Sequence, residues 1–397
     1  MHLSLLLSVL PLALAGPTGK RSEPAPLIIP RGETTSLIPD EYIVKFKKGS
    51  ASATLKDAMK MLPAQPNHVF DSIFKGFTGK LDSLTLNAMR AHPDVDYIEQ
   101  NAKVQAYGVT TQQNAPWGLA RISHKRTGAS NYIYDESAGE GVCAYIVDTG
   151  LDDQNDEFEG RAQEVKSFIG GSGDNCGHGT HVAGTIGSRS YGVAKKASLY
   201  GIKVLEYNPS NGKCEADNSV IIAGLEHVSQ DAAQRDCPKG VVVNMSLGGP
   251  YSQASNDAAA ELVRRGYFVA VAAGNGDELQ RPIDAANVSP ASEPSVCTIG
   301  ATDYQDRTAS FTNYGSVVDL HGPGVDVYSV RVGGGNLKMS GTSMATPHIA
   351  GLGAYFLALG KPASSMCGYL QGIALRGVIS GVHSGTKNLL AQNGVGA

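Results

Sequence analysis

The sequence predicts an α/β domain with a mostly parallel sheet, preceded by a small α+β unit. Two textures carry that expectation. Beyond Gly108, short apolar runs alternate with stretches of helical periodicity, as in a sheet covered by helices. Between Glu41 and Val104 the runs are half polar, and the segment has a size at which folding alone is marginal. A chain of 397 residues also exceeds what one core usually holds, which favours a main domain plus an accessory unit.

In the accessory unit, Glu41-Tyr-Ile-Val-Lys-Phe-Lys47 alternates as a half-buried strand does. Leu55–Leu62 spaces its apolar residues helically, and His68–Leu81 alternates again. Leu84–Met89 reads as a second helix before a strand ending near Val104. Gly16 to Pro39, rich in Pro, Gly and Ser, reads as a flexible spacer. In the main domain the expected strands are Val142–Val147, Leu199–Val204, Val241–Ser246, Phe268–Ala273 and Val296–Gly300. Helices fit Ser219–Ala233, Ala258–Arg265 and Ser343–Leu359.

Leu3 to Ala15 is a short apolar run ending in Ala13-Leu14-Ala15, the pattern of a secretory leader cut near Gly16, although His2 stands where Lys or Arg is usual. No later run has the roughly 18 to 20 apolar residues of a membrane span. Residues 108–397 carry 21 Lys+Arg against 27 Asp+Glu. That acidic balance argues against a nucleic-acid binder, which usually clusters basic residues on one surface. All six cysteines lie beyond residue 142 and none forms a C-x-x-C pair, so disulfides in an oxidising compartment are expected rather than zinc.

Three motifs carry chemistry. Ala144-Tyr-Ile-Val-Asp148-Thr-Gly150 puts a carboxylate directly after an apolar strand, at the edge where α/β folds build their sites. Taken alone, Asp148 also fits a capping or turn residue. Asn175-Cys-Gly-His178-Gly-Thr-His181-Val-Ala-Gly184 sets two histidines among glycines at a helix start. Their spacing lacks the general base of a zinc H-E-x-x-H helix and does not say which imidazole acts. Ser340-Gly-Thr-Ser343-Met-Ala-Thr-Pro-His-Ile-Ala-Gly351 starts a buried helix with a serine, either an N-cap or a nucleophile beside a positive helix end. Asp, His and Ser in one chain are the parts of an orienter, base and nucleophile set. A lipase-like esterase would need G-x-S-x-G and the order Ser, Asp, His, whereas Ser343 sits in Gly-Thr-Ser-Met-Ala.

With Ala115-Pro-Trp-Gly-Leu-Ala-Arg-Ile-Ser123, Tyr191-Gly-Val-Ala-Lys-Lys196 and Ser289-Pro-Ala-Ser-Glu-Pro-Ser-Val-Cys297, these motifs make the chain resemble the subtilases, within them the fungal extracellular enzymes of the proteinase K group. The resemblance runs from Tyr42 to about Leu390. It implies a doubly wound subtilisin-like domain over 108–397 and a ferredoxin-like inhibitory propeptide within 16–107, its folded part about 40–104, cut near Tyr107/Gly108. It implies a secreted, monomeric serine endopeptidase acting on proteins, with the propeptide as its own inhibitor. His178 becomes the general base, His181 a structural residue, Ser343 the nucleophile, Asp148 the orienter and Asn275 the oxyanion donor. Ser246, Leu247 and Gly248 match the strand that pairs with substrate, and Ala273-Gly274 a wall of the S1 pocket. Relatives carry Tyr at the position of Val288, which bears on the side chain accepted there.

The same resemblance assigns structural calcium to the Pro294 and Val296 carbonyls and the Asp319 carboxylate, while Val378 replaces the Asp of a second site, which is therefore expected to be lost. It pairs Cys143 with Cys237 and Cys297 with Cys367. The free cysteine many relatives keep behind the catalytic histidine is Val182 here. Cys176 and Cys214 are left over. Both flank the same side of the cleft, so a Cys176–Cys214 bond is expected, pinning the 208–217 loop to the histidine segment. The sequons at Asn244 and Asn287 are expected to stay unglycosylated. A catalytically dead subtilase serving as a binding module would lack a triad or oxyanion residue, and all four are present.

Overall fold

The computed structural model describes residues 23–30, 37–103 and 108–395. The leader expected at 1–15 and the junction residue Tyr107 lie outside them. The chain divides into two units, Met1–Ala106 and Tyr107–Ala397.

In the larger unit, alternation along fully buried strands sorts side chains into two cores. From the strand Val142–Asp148, Val142, Ala144 and Ile146 join one hydrophobic cluster, and Cys143, Tyr145 and Val147 join the other. Successive side chains of a strand point to opposite faces, so a strand buried on both faces reads as a continuous apolar run. Helices His178–Gly187 and Thr342–Ala358 cover the first face. Helices Asn218–Ala232 and Gln253–Arg264 cover the second. The result is a three-layer α/β sandwich.

The nine-stranded sheet runs, edge to edge, 375–376, 389–390, 320–323, 297–302, 268–272, 240–245, 142–148, 198–203 and 162–167. All its pairings are parallel except that of the two short C-terminal strands. The chain moves from 142–148 out to one edge, returns, and then crosses to 240–245, so the strand order reverses beside Asp148. In open α/β sheets, ligand crevices form at the carboxyl ends of strands at such a reversal.

In the smaller unit the sheet order is 27–28, 95–102, 37–46, 76–80 and 68–70, with helices Ser52–Met59 and Ser83–Ala91. Val44, Phe46, Phe77, Val95 and Ile98 form its core with Leu55 and Met89. The spacer expected over Gly16–Pro39 is corrected here. Leu27–Ile28 pairs in parallel with the last strand, and Ala25 is fully buried, exchanging bonds with Arg90. Two or three residues suffice to add such an edge strand, too few to show periodicity. His68–Leu81 likewise divides into two antiparallel strands, His68–Phe70 and Gly76–Lys80. The expected Ala258–Arg265 helix starts earlier, at Gln253, because the Ser252 hydroxyl accepts the Ser255 N–H and caps it.

Candidate active site

Asp148 closes its strand and is fully buried. Its Oδ1 accepts the Thr149 N–H at 2.8 Å and faces His178 Nδ1 at 2.7 Å. This bond fixes the tautomer, with Nδ1 carrying the proton and Nε2 left unprotonated. Burial on its own depresses the imidazole pKa. The Asp148 carboxylate, its hydrogen bond, and the more distant Asp174 outweigh that and raise it.

The turn that delivers His178 is built by Asp174, which the sequence did not single out. Its Oδ1 accepts the Thr149 hydroxyl and the N–H groups of Cys176 and Gly177, and its Oδ2 accepts Thr180 N–H. A carboxylate at the head of a helix satisfies otherwise orphaned N–H groups and complements the helix dipole. Gly177, the N-cap, has φ +79°, which a residue with a Cβ adopts at a cost. His181, three residues on, is buried, with Nε2 3.1 Å from the carbonyls of Val327 and Leu337. Burial holds its pKa down to about 4, so it is a neutral packing residue.

Ser343 is the second residue of the helix Thr342–Ala358, which is apolar on nearly every side and lies in the core. Its hydroxyl donates to the Ser246 carbonyl at 3.1 Å rather than to His178. The Ser246 hydroxyl in turn donates to the Ser343 carbonyl at 2.8 Å. That carbonyl would normally accept the N–H four residues on, but position 347 is proline and has none. Ser246 therefore supplies a donor that the helix lacks. Asn244 Nδ2 donates to the same Ser246 hydroxyl at 3.0 Å.

The Asn275 Oδ1 accepts both the N–H and the hydroxyl of Thr342 at 2.8 Å, so its NH₂ is turned away from Thr342. Neither that NH₂ nor the Ser343 N–H has a hydrogen-bond acceptor among the described residues. A Cβ placed on Gly341 would lie 3.4 Å from Asn275 Nδ2 and 3.5 Å from Ser343 N, so the two donors flank one small space. Gly274, at φ +98°, has the Asn313 amide where a side chain would stand. Asn313, another residue missed in the sequence, donates to the Ala273 carbonyl and accepts the N–H groups of Gly276 and Ile283. It clamps the loop that carries Asn275. Its partners lie 30 to 40 residues away, so no local pattern marks it.

Ser246 is buried, Leu247 half-buried and Gly248 exposed, so the segment emerges from the core. A methyl of Val288 lies 3.1 Å from a Cβ built on Gly248 and 3.7 Å from one built on Gly274, which puts Val288 between the two wall segments. Cystine links join Cys143 to Cys237, Cys297 to Cys367, and Cys176 to Cys214, the last with Cα atoms 6.4 Å apart. Cys214 stands on the hairpin Glu206–Asn208/Lys213–Glu215, whose Glu206 also meets Asn175 and the buried Lys203. Of the residues expected to hold calcium, Val296 is buried, Pro294 exposed, and the Asp319 carboxylate already takes three donors of this chain.

A profile of the subtilase family matches residues 139–376, and one of the peptidase inhibitor I9 family matches 41–107. Proteinase R of Parengyodontium album is 52% identical, covering 99% of each chain. A cuticle-degrading protease of Metarhizium anisopliae is 51% identical over 99% of this chain and 100% of its own length. The crystal structure of a cold adapted subtilisin-like serine proteinase superposes with a TM-score of 0.64 at 39% identity, over 71% of this chain and 99% of that one.

Proposed function

The chain belongs to the subtilase family and is a serine protease with an I9-type inhibitor segment, and from that premise we propose a secreted, self-processing endopeptidase of broad sequence tolerance that favours apolar residues before the cut bond. Residues 1–15 are its leader, 16–107 its propeptide and 108–397 the mature, monomeric enzyme. The single observation that carries the reading is the space beside Gly341, flanked by Asn275 Nδ2 and Ser343 N.

A substrate carbonyl oxygen in that space puts its carbon within reach of Ser343 Oγ. The hydroxyl leaves the Ser246 carbonyl and gives its proton to His178 Nε2 as Oγ bonds the carbon. The resulting oxyanion takes hydrogen bonds from Asn275 and the Ser343 N–H. Asp148 stabilises the imidazolium, which returns the proton to the departing amine, and water then cleaves the acyl-enzyme by the same route. Ser246–Gly248 offers backbone groups to the substrate backbone, which every peptide presents alike. Val288 between Gly248 and Gly274 supports an apolar P1 pocket. Three cystines support an oxidising destination, and no helix among the described residues is long and apolar enough to cross a membrane.

The test is Ser343→Ala. The variant is expected to lose peptide hydrolysis and to stay uncleaved near Tyr107 when expressed in a protease-deficient host. A fluorophosphonate is expected to label the parent at Ser343 alone. Processing of the variant on its own, or labelling elsewhere, refutes the assignment.

A further inference from the structure

Asp319, at the head of the strand Leu320–Pro323, is served by this chain's own donors. Its Oδ2 accepts Thr298 N–H at 3.1 Å, while its Oδ1 accepts Gln371 Nε2 at 2.9 Å and Lys387 Nζ at 2.7 Å. Its own N–H bonds the Thr298 carbonyl, which holds the carboxylate against the neighbouring strand. Gln371 lies on the helix Met366–Ile373, which the Cys297–Cys367 bond ties to that strand. Lys387 stands two residues before Leu389–Leu390, which joins the sheet through His321. One carboxylate thus gathers the two C-terminal elements onto the sheet.

Calcium takes about six to eight oxygen ligands and gains most from several anionic ones. Of the ligands the resemblance assigns, the Pro294 and Val296 carbonyls are neutral and one carboxylate supplies the negative charge, and one of its oxygens already faces an ammonium. The two sulfurs within 4.8 Å belong to a disulfide and are not ligands. Gln371 turns a donor, not an acceptor, toward Asp319, and Arg376 donates to the Gln371 backbone carbonyl at 3.1 Å. A divalent ion here would meet like charge at close range. With Lys387 in place the donor set does not fit a calcium ion.

We propose that Lys387 takes the place of a divalent cation at Asp319, so that this corner of the fold holds without calcium. A tethered ammonium is always at hand, whereas a bound ion stabilises only as its concentration exceeds its Kd. The lysine side chain is 41% exposed and the carboxylate 16%, so replacing Lys387 leaves the packing intact and the carboxylate open to another cation.

The test uses the full chain with Ser343→Ala, to prevent self-digestion, as the parent for Lys387→Ala, Asp319→Asn and the pair. Melting is compared in chelator and in millimolar calcium, and calcium binding is followed by calorimetry. Lys387→Ala is expected to melt about 2–4 °C below the parent in chelator, to recover in calcium and to gain a calcium site that the added Asp319→Asn removes. Lys387→Arg is expected to behave as the parent does. A calcium-induced rise in the parent that Asp319→Asn abolishes overturns the proposal, since the ion then sits there despite the lysine. So does a Lys387→Ala chain that melts like the parent in chelator. A loss that calcium does not reverse leaves Lys387 a plain tether and also refutes it.

Discussion

Removing the Ser246 hydroxyl tests how the nucleophile is held. Ser246→Ala strips the donor from the Ser343 carbonyl, which Pro347 has left without a helical partner. A buried acceptor left unsatisfied costs about 1–3 kcal/mol. If that alignment matters only as Oγ attacks, the rate of acylation falls by about 5- to 150-fold. Pro347→Ala restores an N–H four residues after Ser343, so in that background Ser246→Ala should cost about 2-fold or less through this bond. Ser246→Ala also takes an acceptor from Asn244, but that loss is common to both backgrounds and cancels in the cycle. The expected coupling is about 1–2 kcal/mol, within the range for contacting residues. The assay is the second-order rate of fluorophosphonate labelling, which reads the attack of Oγ without deacylation. Equal losses in both backgrounds, or a single variant within 2-fold of wild type, refute the capping argument.

Asn275→Ala should lower kcat by about 10²–10³ with little change in KM, because its amide meets the oxygen mainly once it bears charge. Gly341→Ala should also lower kcat, since its methyl would intrude between both donors; steady-state kinetics with one peptide substrate checks the two. His178 must be neutral to accept a proton, and its pKa is raised by Asp148, so kcat/KM should fall as pH drops through a midpoint above 6.5. Asp148→Asn should move that acid limb to lower pH, because burial is then unopposed by the carboxylate, and cut kcat by about 10⁴; the pH profile of the variant decides this. Peptide mapping without reductant should recover Cys176 linked to Cys214, and Cys176→Ser with Cys214→Ser should lower stability by up to about 4 kcal/mol in chemical denaturation. Recovery of both as free thiols from wild type overturns the link.

The parallel strands were legible because both of their faces are buried, so Val142–Val147 reads as an unbroken apolar run and Val241–Met245 as one interrupted only by Asn244. The helix at Ser343 was legible for the same reason, within one residue at each end. Polar first turns were not: Gln253–Asp257 looks like loop until the Ser252 cap is seen. Asp148, His178 and Ser343 stand out because glycine and small residues crowd their motifs. Asp174, Asn313 and Lys387 escaped because a lone Asp, Asn or Lys is common and their meaning lies in distant partners, 68 residues apart for Lys387 and Asp319. Pro347 is visible in the Ser343 motif, yet its physical consequence, a carbonyl in need of a donor, appears only when Ser246 is brought beside it.

The helix that begins at Thr342 packs against the strands 142–148, 240–245, 268–272 and 297–302, and this fixes when the enzyme can act. Asp148 and Ser343 are separated by nearly half the chain, and the helix bearing Ser343 is the central pillar on one face of the sheet. During synthesis the strands emerge first and lack the pillar that joins them. A topology so rich in distant contacts closes slowly, because loop entropy must be lost before those contacts form. Ser343, the proposed nucleophile, is made after the other proposed catalytic groups, 195 residues beyond Asp148 and 68 beyond Asn275. The growing polypeptide is therefore expected to spare its neighbours until that helix is made.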